Sequence, residues 1–179
     1  MPLIRSARTA DAAAIAGIYN QGIAERSSTF EIAPRTTSDI EQRLTDLERH
    51  PLLVATDDAG AVIGWAGLSG YRPRDCYAGI GEFSVYLDAA ARGRGVGRRL
   101  MLALIDVARD RGYWKLLSRI FPFNTASRAL CRSVGFREVG VYEKHGQLEG
   151  RWLDVVIVER LIPENIPAIP PAAEATAVA

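Results

Sequence analysis

The residues with the most chemistry to offer fall in one stretch, 81–104, of a 179-residue chain. Glu82 comes first, then Arg92-Gly93-Arg94-Gly95-Val96-Gly97, then Arg98 and Arg99. A glycine-rich turn that opens a helix bares backbone N–H groups at the positive end of the helix dipole, which suits a phosphate-bearing ligand. A P-loop would continue with Lys-Ser or Lys-Thr, and here Arg98-Arg99 follow the last glycine. A dinucleotide fingerprint reads G-x-G-x-x-G, and here the third glycine falls one position early, at 97. The spacing that is met is Q/R-x-x-G-x-G/A, through Arg92, Gly95 and Gly97. Glu82 offers a proton acceptor. It shares a strand face with Ser84 and Tyr86, while Phe83, Val85 and Leu87 face the other way. A carboxylate on a cleft-facing strand can serve as a general base. The competing reading is an exposed glutamate, or the partner of a nearby arginine.

Elements must hold these groups in place. The alternation over 81–87 predicts a strand, and apolar residues at 100, 101, 104, 105 and 108 predict a helix after the turn. Leu3-Ile4-Arg5 reads as a first strand. Thr9 is placed to cap a helix with Ala12, Ile15, Ala16, Tyr19 and Ile23 on one face. Ser27-Ser28-Thr29-Phe30-Glu31 has no periodicity. Ser38-Asp39-Ile40-Glu41 reads as a capping box for a second helix. Strands over 52–55 and 62–69 flank a hairpin turn at Asp57-Asp58-Ala59-Gly60. A polar loop with Arg72 and Arg74 leads into the Glu82 strand. A strand over 115–121, a helix capped by Asn124 and closed by Gly135, and strands over 137–142 and 152–160 complete the pattern. The order β-α-α-β-β-β-α-β-α-β-β predicts an α/β or α+β fold in a single domain, 1–162. From Pro163 the composition turns to Ala, Pro and Glu, so 163–179 is expected to be a loose tail.

Composition narrows the partners. A net charge of +1 gives no electrostatic case for nucleic acid. Cys76 and Cys131 show no metal-ligand spacing, and the chain has only two histidines, so no metal and a reducing compartment are expected. No apolar run approaches the ~18 residues of a membrane span.

Arg92-x-x-Gly95-x-Gly97 resembles the acetyl-CoA loop of the GNAT N-acetyltransferase superfamily. Asn124-x-x-Ser127-x-x-Leu130-x-x-x-x-Gly135-Phe136 resembles the second CoA-contact motif of that superfamily. Glu82-x-x-Val85-Tyr86-Leu87 looks like the Glu-Ser-Thr-Val-Tyr-Val of the phosphinothricin acetyltransferases. Ser28-Thr29-Phe30-Glu31 is similar to that branch's entry loop, and Gly150-Arg151-Trp152-Leu153-Asp154-Val155 to its closing strand. The resemblance implies a mixed sheet of about seven strands with four helices, whose central strands splay to admit the pantetheine arm. It implies acetyl-CoA as co-substrate and no metal. The co-substrate would lie against Val85, Tyr86 and Leu87, the loop residues Arg92, Gly93, Arg94, Gly95, Val96, Gly97 and Arg98, and Asn124 and Ser127. A backbone N–H near 86–87 would meet the charge that develops on the attacked carbonyl.

The implied acceptor is phosphinothricin, arsinothricin or methionine sulfoximine, each a glutamate-like amino acid with a tetrahedral head. Acetylation of its α-amino group would confer resistance. Glu82 would be the general base, and Phe30, Glu31, Arg72, Arg74 and Trp152 would hold the acceptor. A homodimer is implied on the same grounds, while a cytoplasmic location is the expectation from the cysteine usage above. One position departs from the pattern: Cys131 stands where many relatives have Tyr, so the general acid is unassigned and Cys131 reads as core. Other readings are another small amine or a protein N-terminus as acceptor, and a non-catalytic acyl-CoA-binding domain.

Overall fold

The structure is a computed structural model and describes residues 1–167. Its strands are β1 (Leu3–Ser6), β2 (Leu52–Thr56), β3 (Val62–Gly70), β4 (Ile80–Leu87), β5 (Lys115–Ile120), β6 (Arg137–Leu148) and β7 (Arg151–Leu161). Its helices are α1 (Ala12–Ala24), α2 (Thr37–Arg43), α3 (Val96–Asp110) and α4 (Thr125–Ser133). The seven strands form one mixed sheet in the order β1-β2-β3-β4-β5-β7-β6. This is the architecture that the element order and the resemblance predict.

Alternation along β4 divides the two faces. Phe83 enters a core with Leu100, Met101 and Leu104 of α3, Leu116 of β5 and Cys131 of α4. Tyr86 packs on the opposite face, against Trp65 of β3 and Tyr19 of α1, where Ile15, Ile18, Ile40 and Leu44 complete a second core. The i, i+4, i+8 spacing of Leu100, Leu104 and Ala108 turns one stripe of α3 onto the sheet, and all three are fully buried. Removing a Leu side chain there should cost ~3–5 kcal/mol.

The parallel pair β4–β5 positions the site. Its register is Ile80–Lys115, Gly81–Leu116 and Glu82–Leu117, and the pairing stops there although both strands continue. From Glu82 onward the two strands diverge. The predicted splay therefore exists, and Glu82 stands at its apex.

Four boundaries differ from expectation. The second helix is capped by Thr36: its hydroxyl accepts from Asp39 N at 3.1 Å, and Asp39 accepts from Thr36 N at 2.8 Å. This box precedes the expected one at Ser38 and leaves Ser38 inside the first turn of the helix. Ahead of α1 the carboxylate of Asp11 accepts from Arg8 N at 2.8 Å and from Arg5 at 2.7 and 2.8 Å, which braces the turn before the helix and makes no cap bond to α1 itself. Thr9 starts a short 3-10 turn instead. β6 runs on to Leu148 through two register shifts, and a two-residue turn at Glu149 and Gly150, both at positive φ, closes the hairpin. Finally, a 3-10 turn, Pro163–Asn165, follows the expected domain end at 162, and Asn165 Nδ2 donates to Arg109 O at 2.7 Å and Tyr113 O at 2.8 Å at the C-terminal end of α3. The rest of the expected tail, 168–179, lies outside the described residues.

Candidate active site

The splay opens into a cleft of about 760 Å³ that runs from the α3 N-terminus to the loop after α1. Its cofactor end is made of backbone. Gly93 and Gly95 adopt φ of 73° and 77°, and Gly95 is the N-cap of α3. L side chains rarely adopt this conformation, so glycine is what permits the turn. The N–H groups of residues 93–98 find no protein acceptor among the described residues. Arg92, Gly93, Gly95, Gly97 and Arg98 line this end of the cleft. Unpaired amides at a positive helix end, flanked by arginines, fit a pyrophosphate, so the residues present suit acetyl-CoA. Two loop residues are placed differently from expectation. Val96 is 3% exposed and turns into the α3 core, so it offers only backbone. Arg94 is exposed and outside the cleft lining.

Val85, Tyr86 and Leu87 form the floor. Beyond Glu82 the β5-facing edge of β4 has no strand partner, so its backbone groups face the cleft. The Tyr86 ring lies 4.6 Å from Tyr19 and stacks at 5.0 Å on Trp65. It fits because residue 22 is glycine: a Cβ there would stand 2.6 Å from Tyr86 Cε1. Burial raises the Tyr86 and Tyr19 hydroxyls above the usual tyrosine range, so both remain donors at neutral pH. Asn124 and Ser127 line the same wall. Asn124 Oδ1 caps α4 by accepting from Ser127 N at 3.1 Å, and its Nδ2 donates to Ser27 O at 3.0 Å.

The acceptor end is made of side chains. Glu82 is 25% exposed and is ion-paired through Oε1 with Arg119 of β5. Phe30 roofs the cleft, edge-on to Phe121 with ring centres 4.8 Å apart. Glu31 also lines it, tied to Arg35 Nε at 2.7 Å. Three expected acceptor residues are elsewhere. Arg72 and Arg74 leave the cleft to stack on tyrosines, Arg72 at 5.1 Å from Tyr71 and Arg74 at 5.8 Å from Tyr77. Trp152 is 58% exposed opposite Gln147, outside the cleft, because the tight turn at 149–150 fixes the hairpin register.

Two cleft residues, Arg119 and His145, fall outside the candidate set, His145 because a lone histidine near the closing loop shows no partner in the sequence. Arg119 is the one charge inside the apolar run Leu116-Leu117-Ser118-Arg119-Ile120-Phe121, and that interruption was the available signal. His145 follows Lys144, whose φ is 48° and whose N–H donates to Asp154 Oδ1 at 2.7 Å. Asp154 thus holds the irregular stretch of β6 that carries the imidazole to the cleft. Cys131 is 1% exposed, and burial pushes its thiol up to about 12, so it is packing rather than chemistry.

Comparison with known proteins fits this geometry. The model of the acetyltransferase (GNAT) domain matches residues 4–157. An L-methionine sulfoximine/L-methionine sulfone acetyltransferase of Pseudomonas aeruginosa is 35% identical over 158 residues, 87% of this chain and 92% of that protein. A phosphinothricin acetyltransferase of Sinorhizobium meliloti, solved in complex with acetyl-CoA, superposes with a TM-score of 0.84 at 32% identity, covering 89% of this chain and 88% of that one. A structure described as a ribosomal-protein-alanine N-acetyltransferase from Brucella melitensis gives 0.85 at 36% identity, covering 89% and 99%. With a splayed β4–β5 pair, an amide-lined loop at α3 and a family match across most of its length, the chain belongs to the GNAT acetyltransferases and is an acetyl-CoA-dependent N-acetyltransferase.

Proposed function

We propose that this enzyme acetylates the α-amino group of a glutamate-like amino acid with a tetrahedral head, such as methionine sulfoximine, phosphinothricin or arsinothricin. Glu82 serves as general base. The observation that carries the reading is the position of Glu82, at the last β4–β5 pair and inside the same cleft as the unpaired amides of the α3 loop. Acetyl-CoA supplies an acyl group on a thioester. The α-amino group of the acceptor is mostly ammonium at neutral pH and must lose a proton before it attacks. Glu82 Oε2, which has no protein hydrogen bond among the described residues, takes that proton. The nitrogen then bonds to the acetyl carbon as the carbon–sulfur bond breaks, and its second proton goes to the departing sulfur. Backbone N–H groups at the free edge of β4 face the charge that builds on the carbonyl oxygen. Phe30 and Phe121 shield the reacting atoms from water.

The Brucella neighbour's description supports a second acceptor, a protein N-terminal alanine. A thiol-release assay separates the two. Acetyl-CoA is offered with methionine sulfoximine, phosphinothricin, arsinothricin, glutamate and an N-terminal alanine peptide, using wild type and Glu82→Gln. Turnover of a tetrahedral-headed amino acid, lost in Glu82→Gln, is the expected result. Turnover of the peptide alone would move the assignment to protein termini, and full activity of Glu82→Gln would remove the base.

The resemblance also supports a homodimer. Val139, Val141, Tyr142 and Trp152 are each about half exposed or more on the β6–β7 hairpin, and they are the surface such a pair would cover. Light scattering after size exclusion tests this, with a monomeric mass as the contrary result.

A further inference from the structure

We propose that Arg119 receives the α-carboxylate of the acceptor, so that the Arg119–Glu82 pair reads both charges of a zwitterion. The inference rests on the reading that the acceptor is an amino acid, and it adds the cation that selects one. β5 alternates like β4: Leu116 and Ile120 enter the α3-side core, which leaves Arg119 on the face of Glu82. Strand pairing ends at Glu82–Leu117, so Arg119 lies two residues into the open part of the splay. Its guanidinium makes one hydrogen bond, to Glu82 Oε1, among the described residues. The other donors of its five-donor fork have no protein acceptor there, and the side chain is 33% exposed in the cleft. A planar fork with free donors matches the two oxygens of a carboxylate.

The other arginines near the cleft are committed. Arg92 pairs with Glu25 at 2.8 Å, and Arg35 with Glu31. Arg98 lies in the first turn of α3, at the pyrophosphate end. Arg43 sits 5.1 Å over the Trp65 ring and does not line the cleft. Charge balance supports the assignment. The Arg119–Glu82 pair is neutral as a whole and so is a zwitterion. Docking ammonium on Glu82 and carboxylate on Arg119 compensates both charges of the amino-acid backbone, and a head group that carries its own charge lies outside this pair. An amine without a carboxylate would draw Glu82 from Arg119 and strand the guanidinium.

The test compares methionine sulfoximine and phosphinothricin with their α-carboxamides, in wild type, Arg119→Gln and Arg119→Lys. Wild type is expected to favour the acids by about 10–100-fold in kcat/KM, mainly through KM, and Arg119→Gln to erase the preference, with Arg119→Lys between. Equal turnover of acid and amide by wild type overturns the inference and leaves amino-acid acetylation standing. So does an undiminished preference in Arg119→Gln. An equal fall in kcat on both acceptors would mean that Arg119 only positions Glu82, and it also overturns the inference. Activity on carboxylate-free amines and on no amino acid overturns inference and functional reading together. If Arg119→Gln melts at assay temperature, the wild-type acid-to-amide ratio decides alone.

Discussion

The two ends of the cleft are built from different materials. In the proposed reading the working groups at the cofactor end are backbone N–H donors of residues 93–98, aimed by two positive-φ glycines and the start of α3. Those proposed for the acceptor end are side chains: Glu82 from β4, Arg119 from β5, and Phe30 from the loop after α1. A backbone site is specified by conformation, so one short motif suffices to make it. A side-chain site is specified by which strands meet, in what register, and where they part. One end can therefore bind the same co-substrate while the other is altered residue by residue.

The sharpest break of that comparison comes from removing the acceptor-end carboxylate alone. Glu82→Gln should lower kcat by about 10²–10⁴-fold and leave acetyl-CoA affinity, measured by calorimetry, within about twofold. The side chain is nearly isosteric, so the loss isolates proton transfer. At the other end, Gly95→Val should weaken acetyl-CoA by about 10–100-fold. Open space surrounds the position a Cβ would occupy, so the loss comes from forcing φ of 77° on a β-branched residue and not from a clash. A variant that bound acetyl-CoA normally would show that the loop amides are not the cradle. Cys131 belongs to neither end and is buried in the α3-side core. A thiol pushed up to about 12 by burial is a poorer proton donor than the CoA thiol it would have to serve, whose pKa should be near 8.5. Cys131→Ala should leave kcat within about threefold while lowering stability by ~1–2 kcal/mol through the cavity left against Phe136 and Val134. A larger fall in kcat would return the thiol to the mechanism.

The same contrast explains what the sequence made legible. The glycine spacing and the α3 stripe are local, and the structure has both where they were expected. Glu82 was legible because alternation fixed its face, but nothing local showed that its partner would be Arg119, 37 positions away across a parallel pair. Arg72 and Arg74 looked like acceptor ligands because their loop leads into the Glu82 strand. Tyr71 and Tyr77, in the same loop, offer their rings instead. Trp152 belongs to a recognisable motif, yet register places it outside. Thr36 rather than Ser38 caps α2: Thr36 and Asp39 exchange bonds, so the helix starts at Thr37 and Ser38 lies inside its first turn.

Asn124 joins the two ends and gives the smallest and most diagnostic effect. Its Oδ1 belongs to α4, which stands over the co-substrate wall, and its Nδ2 holds Ser27, at the root of the loop that carries Phe30 to the acceptor. Asn124→Ala removes both bonds. Losing the cap should cost ~1 kcal/mol of stability, read as a fall in Tm of a few degrees. Asn124→Asp separates the roles, because a carboxylate still caps α4 but cannot donate to Ser27 O. If the tie to Ser27 sets the loop, Asn124→Asp keeps the Tm of wild type and raises KM for the acceptor by about 2–5-fold, the range expected for one neutral hydrogen bond. If acceptor KM stays unchanged while affinity for acetyl-CoA falls, Asn124 belongs to the cofactor end alone, and the loop that carries Phe30 is held by its own packing on Phe121.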